Sequence, residues 1–73
     1  EVERYLARRQ YWSQRLMTYM SQAGWQAQLD FEGSQDGLAV LGLDAQGQIQ
    51  ALIHLDPANL AALDAGASPE ALF

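Results

Sequence analysis

The chain changes its hydrophobic period once, at Gly24, and that change limits the folds open to it. Before it, residues 2–23 contain neither Gly nor Pro. At about 100° per residue, Val2, Tyr5, Trp12, Leu16, Tyr19, Met20 and Ala23 collect on one side of a helix, with Leu6 and Met17 widening the apolar sector. Glu1 and Glu3 stand at the helix start, where the macrodipole favours acids, and Gly24 is placed to cap its end. Arg9 is the misfit. Its angle falls between Tyr5 and Met20, so it must carry its charge out to water along its own stem or meet a carboxylate.

After Gly24, Trp25, Ala27, Leu29 and Phe31 alternate with Gln26, Gln28, Asp30 and Glu32, the signature of a half-buried strand over 25–32. Gly33, Ser34, Gln35, Asp36 and Gly37 supply turn chemistry and predict a hairpin into a second strand over 38–43. Leu38, Ala39, Val40, Leu41, Gly42 and Leu43 are apolar at every position, as in a central strand covered on both faces. Asp44, Ala45, Gln46 and Gly47 form the next turn, and alternation returns over 48–55 with Ile49, Ala51, Ile53 and Leu55 on one face. Asp56 as N-cap and Pro57 at the first helical position open a short helix over 57–65, which Gly66 ends. Ser68, Pro69 and Glu70 repeat that start signal, so a further helix is expected to open there. Short loops favour sequential antiparallel pairing. The expected fold is therefore α+β: an N-terminal amphipathic helix, a three-stranded antiparallel meander and a short C-terminal helix, αβββα.

A chain of 73 residues, 49% hydrophobic and 18% charged, has globular composition and room for one core, so one small domain over 1–73 is expected. At that size only about 60% of the unfolded surface is buried on folding. There is no Cys, and hence no disulfide, zinc ribbon or reactive thiol to supplement the core, nor any sign of a redox compartment. Docking onto another chain, or self-association, is the natural source of further burial. The start at Glu1 and the stop at Phe73, just after a helix start signal, read as a domain excised from a longer polypeptide. No apolar run approaches the ~20 residues needed to span a bilayer, and no signal peptide is visible.

The faces of the expected sheet differ. The side carrying Trp25, Leu29, Phe31, Ile49, Ile53 and Leu55 should receive the first helix. The opposite side then presents Gln26, Gln28, Asp30 and Glu32 from one edge, Leu52 and His54 from the other, and either Leu41 and Leu43 or Leu38 and Val40 from the centre. Half of that second face is apolar, so either the short helix or another chain should cover it. The third strand is also an edge with no Lys or Pro to discourage pairing.

Net charge is −5, but Arg4, Arg8, Arg9 and Arg15 are the only bases, and residues 24–73 carry none. The bulk of such a chain repels phosphate backbones, so a nucleic-acid partner is not expected of it. Only the first helix has the charge to behave otherwise. There, Arg4, Arg8, Tyr11 and Arg15 fall within about 60° of one another, opposite the core face, with Trp12 beside them. Such a stripe pairs with acids of its own protein, steers an acidic partner, or meets a lipid or nucleic-acid surface.

Chemistry finds little support. A calcium loop beginning at Asp30, with Glu32 and Asp36 following, requires Gly and Glu where Gln35 and Leu41 stand. His54 is the lone histidine, with no Ser, Cys or second His constellation, and reads as a partly buried edge or interface residue. No glycine pattern for phosphate binding occurs, and there is no Lys. No catalytic, cofactor-binding or metal-binding residue is expected, and the chain reads as a non-enzyme. The expected function is a protein–protein interaction or oligomerisation module with an assembly or regulatory role in a larger protein. It would act with a protein partner or as a homodimer, through burial of Leu41, Leu43, Leu52 and His54 or augmentation of the Gln48 to Leu55 edge, with Arg4, Arg8, Tyr11 and Arg15 steering an acidic partner. The alternative is a membrane-surface or nucleic-acid contact through the arginine face of the first helix.

Overall fold

The Gly- and Pro-free segment forms helix α1, Val2–Gln22, in a computed structural model that describes residues 2–31 and 37–73. Expectations resting on Glu1, on the side chain of Val2 and on residues 32–36 lie outside the described residues. The helix stops because Gly24 adopts φ +88°, a left-handed turn that costs glycine little. There the Gly24 N–H donates to Ser21 O (3.0 Å) and the Trp25 N–H to Met20 O (3.0 Å), which satisfies the last carbonyls and turns the chain into the sheet.

Strands β1 (Gln26–Phe31), β2 (Leu38–Leu43) and β3 (Ile49–His54) pair antiparallel in the order β1-β2-β3. Helix α2, Pro57–Asp64, follows, with Asp56 Oδ1 accepting from the Asn59 N–H at 2.8 Å as its N-cap. The architecture is thus the α+β αβββα arrangement that the period change predicts. The further helix expected at Ser68 is a single 3-10 turn, Pro69–Leu72, and the Ser68 side chain makes no capping bond.

Register assigns the faces, because directly opposed residues share a side. Leu29, Val40 and Ile53 form one row, Ala27, Gly42 and Ala51 another, and Phe31 opposes Leu38. This is the helix side. Leu16 and Met20 of α1 close over Val40, Ala51, Ile53 and Leu55, and Leu60 and Leu63 of α2 join the same core. Tyr5 Oη donates to Leu55 O at 3.1 Å, tying α1 to the end of the sheet. Gly42 leaves no room for a side chain: a Cβ there would lie 2.8 Å from Trp25 Cε3 and 2.9 Å from Met20 Sδ.

Several expectations are corrected. Ile49 does not join the helix side. A bulge at Gly42/Leu43 pairs Ile49 with Leu43, and it is left 56% exposed. Of the two coverings open to the second face of the sheet, the short helix is not the one, since Leu60 and Leu63 put α2 in the core with α1. The central strand is therefore covered by helices on one face only, although its side chains are largely buried on both. Ala23 is exposed because the helix has already ended, and Leu6 is exposed on the flank of α1. Ser13 is buried instead, its hydroxyl donating to Arg9 O at 2.6 Å within the helix. Arg9 lays its guanidinium 5.6 Å from the centre of the Tyr5 ring, which accounts for a cation within the apolar sector.

Candidate functional site

The sheet face turned away from the helices is built from three strands in register. Gln28, Leu41 and Leu52 form its middle row, Asp30, Ala39 and His54 the next, and Gln26, Leu43 and Ile49 the row nearest the bulge. The β1 column is polar, whereas the β2 and β3 columns are apolar except at His54. Ala39 and Leu41 are 0% and 7% exposed, and neither belongs to the core cluster that the helices close. Leu43 and Leu52 are half-buried, and His54 is exposed.

Polar anchors fix the corners of this face. The His54 carbonyl accepts from Asn59 Nδ2 at 2.7 Å, which holds the end of β3 against the start of α2. At the other end, Asp44 Oδ1 accepts the N–H groups of Gln48 and Gln46 at 2.9 Å each, while Oδ2 accepts from Gln50 Nε2 at 2.7 Å. Those donors, the Gln48 amide first and the Gln50 side chain next, hold the Asp44 carboxyl below its ordinary pKa. A depressed folded pKa stabilises the fold above the unfolded value of about 3.9, and that stability is lost as pH falls through the folded value. We expect the urea midpoint of Asp44→Asn to drop less than that of wild type between about pH 6 and about pH 2.5. Equal drops would show that the turn does not depend on the ionised carboxylate.

The arginine stripe lies on the other side of the molecule. Arg8 is not free for an external acid: it forms an ion pair with Asp64 of α2, whose Oδ1 also accepts from Trp12 Nε1 at 2.9 Å. The flank carrying Arg8 and Trp12 therefore faces α2, not open solvent opposite the core. Arg15 stacks 5.4 Å from the Tyr11 ring centre and 5.5 Å from that of Trp12, and Arg4 is exposed. A groove of about 670 Å³ runs between α1 and the C-terminal segment, lined by Trp12, Arg15, Tyr19, Leu63 and Pro69 among others. Tyr19 Oη donates to Glu70 Oε1 at 2.6 Å across it. That bond, then partial removal from water and the Glu70 charge, raises the Tyr19 pKa.

The candidate residues thus fall into two sets. Leu41, Leu43, Leu52 and His54 share the open face, while Arg4, Arg8, Tyr11 and Arg15 ride on the helix behind the sheet. One flat contact cannot engage both. Three contributors escape sequence reading. Ile49 is misplaced by the bulge, for which Gly42 inside a strand is the available signal. Asp64 and Asn59 are ordinary polar residues whose partners lie in other elements. Among the described residues, no group of three His, Asp or Glu is arranged to hold a metal ion, and no helix is long and apolar enough to cross a membrane. Comparison of the chain with protein-family models, with curated proteins and with solved structures finds no match.

Proposed function

We propose that this domain is a non-catalytic protein-interaction module, serving assembly or regulation within a larger protein, whose docking face is the open side of the sheet. The observation that carries the reading is the placement of both helices on the same side. The open face carries an apolar strip in which Ile49 is exposed, Leu43 and Leu52 are half-buried and Leu41 lies buried between them, with a polar border of Gln26, Gln28 and Asp30. An apolar centre with a polar rim is the anatomy of a protein contact, and burying it adds area that so small a core lacks. His54 ends the strip and supplies a polar group for register. The alternative, a membrane-surface or nucleic-acid contact by the arginine stripe, draws less support because Asp64 already engages Arg8.

Leu52→Asp tests the reading, because Leu52 lies on the open face and outside the core cluster; the half-buried position costs some stability, so binding is compared at a temperature where circular dichroism shows the variant folded. Proteins retained by the immobilised wild-type domain and by an Arg4→Gln control should be lost from Leu52→Asp. Retention of the same proteins by Leu52→Asp would reject the open face as the docking surface.

A further inference from the structure

We infer that two copies of this chain pair through β1, antiparallel about Gln28, to join their sheets into one. This contact uses the edge and helix side of β1 and stands independently of the docking face proposed above.

The outer edge of β1 is the more pairable of the two sheet edges. β1 is regular throughout its register with β2, and contains neither Lys nor Pro. The β3 edge is managed: its register with β2 is broken by the bulge, and the His54 carbonyl is taken by Asn59. Beside β1, moreover, the helix layer stops short. Leu6, Leu29 and Phe31 remain 44%, 38% and 55% exposed, and a groove of about 390 Å³ opens beside Leu29, with Leu6, Met17 and Leu38 as its apolar lining and Arg9 and other polar side chains of α1 as the remainder. A strand added at this edge would place every second side chain on the groove side.

The occupant that fits is β1 of a second copy. Pairing about Gln28 sets Leu29 opposite the small Ala27 of the partner copy and Phe31 opposite its Trp25, so bulk meets a gap and aromatic meets aromatic. On the polar side, Asp30 faces Gln26 of the other copy, whose amide can donate to it. The two Asp30 carboxylates, the only charges within β1, then lie about 14 Å apart, four strand positions along and one strand across. That exceeds the Debye length of about 8 Å at physiological ionic strength, so like charge does not oppose the pairing. An incoming strand with an acid opposite Asp30 would be repelled; β1 itself has Gln there.

Sedimentation equilibrium of the intact chain from about 1 μM to about 1 mM reads the proposal directly. The mass should rise from 8.1 kDa toward that of a dimer as concentration increases. Phe31→Lys should hold it at the monomer, and Leu52→Asp should leave the dimer intact. Gln26→Lys, on the exposed polar side, creates two symmetric opposite-charge pairs with Asp30 and should tighten the dimer roughly 2- to 30-fold, a gain that fades in high salt. A monomer across the whole range overturns the inference. So does a dimer indifferent to Phe31→Lys; if Leu52→Asp dissolves that dimer, the open face is the self-contact instead.

Discussion

Gly42→Ala lowers the melting temperature although glycine is a poor strand residue. Two effects oppose each other at this position. Replacing Gly by Ala inside a strand recovers about 0.5–1 kcal/mol of backbone entropy. Against this, the new Cβ would sit 2.8 Å from Trp25 Cε3 and 2.9 Å from Met20 Sδ, closer than packed carbon and sulfur tolerate. Neither neighbour can retreat cheaply: Met20 is fully buried, and Trp25 follows directly on the cap that ends α1, its N–H bonded to Met20 O. Overpacking of this kind costs about 1–3 kcal/mol, so the steric term wins. With about 4–8 °C of melting temperature per kcal/mol for a domain of this size, thermal unfolding followed by circular dichroism should show a drop of several degrees. Gly42→Val should exceed it. A melting temperature at or above wild type in Gly42→Ala would mean that the helix layer yields at this contact.

The same glycine shows what the sequence could and could not disclose. The change from helical to alternating period at Gly24, the Asp56 and Pro57 start and the short turns sufficed for element order, because each is a local preference read within a few residues. Alternation over 48–55, however, assumes that no residue is skipped. The bulge beside Gly42 breaks that assumption and carries Ile49 to the open face, a displacement decided by pairing with another strand. The uninterrupted apolar run Leu38–Leu43 was similarly ambiguous. It suits a strand sandwiched between two layers, and equally one that receives helices on a single face, as β2 does.

The candidate surfaces were legible to different depths. Strand parity groups Leu41 with Leu43, and Leu52 with His54, but cannot tell which face α2 will cover; that depends on where an eight-residue helix finds its apolar contacts. The arginine angles on α1 say nothing of which element packs beside the stripe. Asp64, more than fifty residues from Arg8 in sequence, engages it through tertiary packing that helix periodicity does not encode.

Leu60→Ala should destabilise the whole domain, because α2 belongs to the same core that holds α1. Leu60 is fully buried among Leu16, Met20, Ile53 and Leu55. Removing its branched end deletes apolar burial and leaves a cavity, at a cost of about 2–5 kcal/mol. A domain of this length has about 4–11 kcal/mol in total, so the loss is a large share of its stability. The half-exposed Arg8 and Asp64 pair cannot compensate, since ion pairs of that exposure contribute about 0–1 kcal/mol. The prediction separates two ways of holding the C-terminal segment. If α2 is integral, far-ultraviolet circular dichroism and tryptophan fluorescence will report one coincident transition at lower urea. If α2 is a detachable cover, the urea midpoint will stay put while only the amides within Pro57–Asp64 and Pro69–Leu72 exchange faster. The second outcome would also weaken the docking-face proposal, because a helix that detaches so readily would no longer be committed to the side opposite Leu41, Leu43 and Leu52.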